Sequence, residues 1–455
     1  MKNILNNQVH TYLIDEYSTD PIYEFLKKSS CFDIIVPGDT VVLKPNWVRE
    51  SHLENDDWDY VITHPTVIEA AFKLVIEKLR GKGEVIIADG PQTDSSFKKI
   101  VQHMNIDYWY ELGKKNGIKL TILDLRDEEW ISKDGVILRR IKLDGDPKGS
   151  VDVNFLGENS EFYGHIKSKR GYFGASPDIE EVNKAHDGNN NKYRVSRTVI
   201  DADVFINLPK LKTHKKSGIT CCLKNLVGIN TYKNFLPHHT EGTPEENGDQ
   251  YPDSSRKRKI EGFLLSKFKK IIKIKKNNIL IGELLRVIRK SGEKAFGSTS
   301  KSLRNGSWYG NDTLWRTIID LNKVLLYANT NNTLKEDNWV NTKKYIGVVD
   351  GIKGGEGCGP MAPDLINSNM IIVGKNPLII DCVCAKLIGF DYKKIPSLIN
   401  AFKIKRYKIF DGSYDDIDVI SNKFEFNKKL KDIDKKDVLN FKPHIGWKGN
   451  IELNE

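Results

Sequence analysis

Buried strands and helices alternate along this chain, with no internal sequence repeat. A short apolar run stops abruptly at polar residues, and a helical period follows. Val41-Val42-Leu43 is apolar throughout, too short for a helix, and bounded by Pro37-Gly38 and Pro45, so it reads as a buried strand. Thr63-His64-Pro65 opens a helix, with a polar cap and a proline whose fixed φ suits the first turn. Val67, Ile68, Ala71, Leu74, Val75 and Leu79 follow at helical spacing, and Gly81 and Gly83 end the element. Glu84 to Ala88 is the next strand, closing at Asp89-Gly90-Pro91. Strand, helix and strand in this order predict a parallel pair joined by a right-handed crossover.

The same grammar continues. A helix is expected over 95–104, a strand over 120–125, irregular β and loop over 130–195, and a strongly buried strand over 203–208. Helices over 314–327 and 377–387 and strands over 345–349 and 370–373 complete the set. The fold class is therefore α/β: a mainly parallel sheet with flanking helices, an irregular β-rich excursion and a large helical insertion. The domain reading is one α/β domain over 1–400, with its core at about 33–235 and 311–400 and an insertion at about 236–310. A C-terminal α/β extension covers 401–455.

Composition excludes several alternatives. Of 455 residues 39% are hydrophobic and 29% charged, which suits a globular chain with a sizeable core. No apolar run approaches the ~20 residues that cross a bilayer. The first twenty residues lack the pattern of a secretory leader, so a cytoplasmic location is expected. The six cysteines, Cys31, Cys221, Cys222, Cys358, Cys382 and Cys384, show no CxxC or metal-finger spacing and are expected to be reduced.

Polar residues gather where strands end. The strand at 41–43 ends in Lys44-Pro45-Asn46, that at 84–88 in Asp89, that at 203–208 in Lys210-Leu211-Lys212-Thr213-His214, and that at 345–349 in Asp350-Gly351. In a parallel sheet these carboxyl ends share one edge, where ligands bind. Lys44, Lys210 and Lys212 suit a carboxylate or phosphate, with Asn46, Thr213 and Asn225 adding direction. His214 is the candidate acid/base. Lys224 sits among Leu223, Leu226 and Val227, so burial can lower its pKa enough for base chemistry. The Gly-rich run from Gly351 to Pro360, Gly357 and Gly359 included, can cradle an anion on its N–H groups. The catalytic candidates are thus His214, Lys224 and Lys210. For a divalent metal the candidates are His238, His239, Asp89 and Asp350, although no metal-ligand spacing supports them. Asp312 is a candidate cap of the helix over 314–327; the alternative makes 305–316 a lid with Arg316 or Asp312 facing substrate.

The net charge of +10 is local: Arg256 to Lys276 carries +9, which leaves about +1 for the other 434 residues. Ile260, Leu264, Phe268, Ile271 and Ile272 form one stripe there, so a basic amphipathic helix is expected. Such a helix packs on the core or touches an anionic membrane surface. The aromatic interleaving of nucleic-acid binders is missing.

Val42 to Asn46, Thr63 to Pro65, Ala88 to Pro91, Ile206 to His214, Leu223 to Gly228, Val349 to Gly351, Gly357 to Pro360 and Asp381 to Gly389 resemble the family called domain of unknown function 362. The resemblance runs from about 40 to 395 and implies a shared α/β fold without naming a reaction. Many relatives carry a ferredoxin-type CxxCxxC module. This sequence has none, so no iron–sulfur role carries over. The leading expectation is an enzyme that acts on a small anionic metabolite by Lys/His acid–base chemistry. The alternatives are a ligand- or metal-binding assembly protein and a membrane-peripheral factor acting through 256–276.

Overall fold

The computed structural model describes residues 7–133, 136–174, 178–255, 258, 260–264, 267, 303–337 and 342–454. In chain order its strands are β1 (Gln8–Leu13), β2 (Thr40–Pro45), β3 (Glu84–Asp89), β4 (Lys119–Asp124), β5 (Glu128–Lys133), β6 (Val136–Lys142), β7 (Ser150–Leu156) and β8 (Tyr172–Gly174). They continue with β9 (Asn190–Ser196), β10 (Val204–Leu208), β11 (Lys210–His214), β12 (Gly218–Thr220), β13 (Pro237–Thr240), β14 (Lys344–Glu356), β15 (Asp364–Gly374) and β16 (Asp418–Ser421).

One large sheet runs in the order β16, β1, β15, β14, β10, β2, β3, β4, with β11 beside β14 and β12 folded back on β11. The pairs β3–β4, β2–β3, β2–β10, β10–β14, β11–β14 and β1–β16 are parallel; β1–β15, β14–β15 and β11–β12 are antiparallel. The carboxyl ends of β2, β3, β10 and β11 therefore reach one edge, and β14 runs past it. Side chains alternate between two cores. Val41, Leu43, Val85, Ile87, Val204 and Ile206 pack under the helix Pro65–Leu79. Val42, Ile86, Phe205 and Val349 pack under the helices Leu314–Tyr327 and Pro377–Leu387. Burial on both faces explains why these strands read as unbroken apolar runs.

The expected start of the second helix is as read: His64 is its N-cap, its ring accepting from Thr66 N at 3.2 Å, and Pro65 follows. Elsewhere the structure differs. The helix near 95 is two short helices, Phe97–Gln102 and Ile106–Lys115. Residues 130–195 hold the hairpin β5–β6 and the pair β7–β9. Thr313, not Asp312, is the N-cap of the helix at 314, and Asn311 Oδ1 accepts from Leu314 N at 2.8 Å. Asp312 instead pairs with Arg316. Within the segment read as an insertion, β13 pairs with β8. Most of Arg256–Lys276, Phe268, Ile271 and Ile272 included, lies outside the described residues. Among the described residues no helix is long and apolar enough to cross a membrane. All six cysteines are unbridged.

The largest departure is the Gly-rich run. Gly351 to Glu356 belongs to β14 and pairs with β15, so these N–H groups serve the ladder or its bulge and not a ligand. Glycine is a poor strand former, yet here only glycine leaves room: a Cβ at Gly355 would stand 2.7 Å from Pro363. The turn beyond it lies on β11. Gly359 O accepts from Lys215 N at 3.1 Å, and a Cβ on Gly359 would lie 1.9 Å from Thr213 O. Gly359→Ala is expected to cost about 1–3 kcal/mol through the forced shift of β11. A urea denaturation midpoint equal to that of the parent would contradict this packing.

Candidate functional site

The edge formed by β2, β3, β10 and β11 carries two buried ion pairs. Lys44 Nζ lies 2.7 Å from Asp89 Oδ1, and Lys210 Nζ lies 2.8 Å from Asp350 Oδ2; all four side chains are at most 4% exposed. Lys44 also donates to Pro45 O at 2.9 Å and to Asn225 Oδ1 at 3.2 Å. Three acceptors match the three protons of an ammonium. Burial works against that charge and lowers the pKa of Lys44, while Asp89 opposes the shift. Asp89 takes Trp47 N at 2.7 Å and Gly90 N at 2.8 Å as well, so β3 and the segment after β2 are tied through one carboxylate. Gly228 is required beside it: a Cβ there would stand 2.0 Å from Asp89 Oδ1 and 2.6 Å from Lys44 Nζ.

The amides extend the network. Asn225 Oδ1 accepts from Asn46 Nδ2 at 3.1 Å, and Asn225 Nδ2 donates to Asn207 Oδ1 at 2.7 Å. Lys212 Nζ donates to Asn46 Oδ1 at 3.2 Å, Val61 O at 2.5 Å and Pro360 O at 3.2 Å. The structure therefore joins Lys44, Asn46, Asp89, Lys212 and Asn225 in one hydrogen-bonded group. Lys212 has no carboxylate partner among the described residues. Burial, then the charges of Lys210 and Lys224, push its pKa well down, whereas the three acceptors favour the ammonium. A neutral amine would leave one acceptor unserved in the core, so we take the geometry to favour the charged form.

Lys210 and Asp350 form a second centre with Tyr17, which sequence reasoning missed. Tyr17 donates to Asp350 Oδ1 at 2.9 Å and accepts from Lys210 at 2.8 Å. Asp350 Oδ2 also takes His64 N at 2.9 Å, and the Tyr17 and His64 rings stack at 3.7 Å. No pattern in the sequence around Tyr17 signals this place. Thr213 donates to Gly357 O at 3.0 Å, and Gly357 N donates to Lys442 O at 2.8 Å, so neither group points at a ligand.

The open positions lie beside this network. Lys224 is half-buried and has no ion-pair or hydrogen-bond partner among the described residues. Burial and the charge of Lys44 lower its pKa to about 8. His214 Nδ1 accepts from Lys216 N and Ser217 N, both at 3.1 Å, which places the proton of the neutral ring on Nε2. His238 Nδ1 lies 2.9 Å from Leu236 O and must donate to it, which leaves Nε2 bare. Burial depresses both rings most, and Lys216 and Lys224 lower both further, with Lys215 and His238 acting on His214 and Lys233 on His238. Lys233, a further residue that sequence reasoning missed, donates to Gly90 O at 3.0 Å and Val227 O at 3.2 Å, with its pKa lowered to about 7 by burial.

The metal candidates are not brought together. Asp89 and Asp350 are each held by a lysine, and His238 and His239 are neighbours on one strand and so face opposite ways. His239 is buried edge-on to Phe173 at 5.3 Å. Among the described residues no group of three His, Cys, Asp or Glu side chains is arranged to hold a metal ion.

Lys224 and Asn225 sit on a one-turn helix, Cys222–Asn225, that has no side-chain cap of its own. Asp381 supplies one from 159 residues away, accepting from Cys222 N at 2.7 Å and Leu223 N at 3.0 Å. It is buried, with no cation partner among the described residues, and Cys221, Cys222, Cys382, Cys384 and Tyr345 are titratable neighbours.

A family model described as "Domain of unknown function (DUF362)" matches residues 41–148 and 172–386. The chain belongs to the DUF362 family. Both ion pairs, Lys212, His214, Lys224, His238 and Asp381 fall within the matched residues. Among solved structures, this DUF362 chain is similar to a protein from Thermotoga maritima (10% identity, TM-score 0.34, covering 82% of this chain and 59% of that one). It is also similar to the lactate racemase apoprotein from Thermoanaerobacterium thermosaccharolyticum (10% identity, TM-score 0.28, 82% and 54%). The chain thus spans little more than half the length of either. No curated protein sequence matches.

Two outcomes follow for stability. Asp89→Asn strands the Lys44 charge in the core and is expected to cost about 3–5 kcal/mol; an unchanged unfolding free energy would contradict the pairing. Asp381 is pushed up to about 7, chiefly by burial. Its folded pKa lies above the unfolded value of about 3.9, so its stabilising effect is present at low pH and is lost as pH rises through about 7. The Tm of the parent, relative to that of Asp381→Asn, should therefore fall between about pH 4 and pH 7 and level off above. A constant difference across that range would contradict it.

Proposed function

We propose that this DUF362 protein is an enzyme that binds a small anionic metabolite, phosphorylated or carboxylated, beside Lys224 and moves a proton on it with His214 and His238. The observation that carries this reading is that His214 and His238 are held by their Nδ1 contacts in opposite tautomers and are both acted on by Lys216 and Lys224. Lys224 lacks a counter-charge among the described residues, and an anion supplies one. His214 presents Nε2–H and acts as the acid or as a hydrogen-bond donor to a developing oxyanion. His238 presents a bare Nε2 and acts as the base. Burial, and then the neighbouring lysines, keep both rings unprotonated at neutral pH, so the base is ready without prior deprotonation.

Lys44 and Lys210 take a different part in this reading from the one expected of them. Each is neutralised by its own carboxylate, so they shape the floor of the site and do not bind the anion directly. Asn225 and Asn46 pass that order on to Lys212.

The test is a set of phosphorylated and carboxylated metabolites incubated in deuterium oxide, with deuterium incorporation and product formation followed by NMR. His214→Ala and His238→Ala are each expected to lower turnover by about 10²–10⁴-fold, the usual worth of a positioned acid or base. Turnover at the parent rate in the double variant would overturn the assignment.

A further inference from the structure

His214 can serve as an acid only while its Nδ1 accepts and its proton stays on Nε2. Two backbone amides impose that state, Lys216 N and Ser217 N, each 3.1 Å from Nδ1. The first amide belongs to the peptide unit that joins Lys215 to Lys216. That unit is trans, so its carbonyl points away from its N–H. At the carbonyl end stands Trp447, whose Nε1–H donates to Lys215 O at 2.9 Å. One rigid plane thus links the indole to the imidazole. The order is Trp447 Nε1–H, the Lys215 carbonyl, the Lys216 N–H and His214 Nδ1.

The same plane turned over would bring the Lys215 carbonyl to Nδ1. A carbonyl cannot donate, so Nδ1 would then carry the proton and Nε2 would be bare. His238 is in that state beside Leu236 O. His214 would become a second base, and the acid would be lost. The Trp447 contact opposes the turn, because turning leaves the N–H of a buried indole without its acceptor. It also polarises the peptide, which strengthens the bond from Lys216 N to Nδ1.

Neighbouring residues hold the indole in place. Trp447 N donates to His444 O at 2.8 Å, and Tyr309 N donates to Gly446 O at 3.0 Å. Gly218 makes room for the ring: a Cβ there would stand 2.8 Å from Ile451 Cδ1 and 3.2 Å from Trp447 Cζ3. On the other side Lys215 N donates to Gly359 O at 3.1 Å, which fixes the preceding peptide. Trp447 lies beyond residue 386, where the DUF362 match ends. Resting on the acid role of His214 given above, we propose that Trp447 is a positioning residue. It selects the Nε2–H tautomer of His214 through the Lys215–Lys216 peptide.

The experiment is long-range proton–nitrogen correlation NMR of the full chain near neutral pH, with His214 assigned by its absence from His214→Ala. In the parent the ring is expected to show a bare Nδ1 and a protonated Nε2. Trp447→Phe keeps an aromatic ring beside Gly218 and removes the donor. It is expected to move the His214 nitrogens towards the Nδ1–H tautomer. Hydrogen exchange at Lys216 N should also quicken about three- to tenfold, the net worth of one hydrogen bond. Ile451→Ala removes packing from the same place and leaves the donor, so it should lower stability without changing the tautomer. The His238 nitrogens should stay unchanged in both variants. If Trp447→Phe does not fold, benzothienylalanine placed at position 447 gives the same readout, since it keeps the bicyclic shape and replaces the N–H by sulfur. A parent ring protonated on Nδ1, an unchanged tautomer once the donor is removed, or an equal change in Ile451→Ala would each overturn the proposal. These readouts need no substrate. Failure of the proposed reaction, seen as full turnover in His214→Ala, is therefore distinct from failure of this contact.

Discussion

The buried contact between Lys44 and Asp89 is the interaction on which this edge of the sheet depends. It closes the ends of β2 and β3 against each other, and the same carboxylate fixes Trp47 and Gly90. Lys44 then orients Asn225, and Asn225 orients Asn46 and Asn207. The arrangement exists only because Gly228 lets the backbone after the Cys222–Asn225 turn approach within the space a methyl group would need. A parallel sheet supplies the convergence, and this ion pair converts it into a fixed polar floor.

On that floor the remaining charges are unequal. Among the described residues Lys44 and Lys210 each have a carboxylate partner, whereas Lys212 and Lys224 have none. Buried polar groups left short of partners mark function more often than stability, because a purely structural role would favour a partner for each. The histidines fit this division. Each has one nitrogen committed to backbone and one open, and their tautomers are opposite. Asp381 supports the same region from behind, holding the turn that carries Lys224 by two backbone amides and no cation.

Much of the fold was legible because its strands are buried on both faces. Val41 to Leu43, Glu84 to Ala88 and Val204 to Leu208 read as apolar runs with sharp polar ends, and those ends meet as the parallel reading requires. The candidate residues were legible for the same reason, since packing alone does not call for Lys, Asp, Asn and His directly after such runs. Their partners were not. Which lysine is neutralised depends on Asp89 and Asp350 lying 45 and 140 positions away from Lys44 and Lys210, a matter of tertiary register. Tyr17 and Asp381 reach the site from distant elements and leave no local pattern. Gly351 to Glu356 misled because glycine signals a loop by propensity, while here close approach by Leu211, Ser368 and Pro363 holds it in a strand.

We propose an anion beside Lys224 and His214, and crystallography with a heavy tetrahedral oxyanion tests that placement most directly. Crystals of the full chain soaked in tungstate at low concentration should show an anomalous peak within about 4 Å of both Lys224 Nζ and His214 Nε2, the reach of a direct ionic contact. That peak should vanish in Lys224→Met while the Lys44–Asp89 pair stays intact. A well-phased map with no peak there, or with peaks only on exposed lysines elsewhere, would contradict the claim.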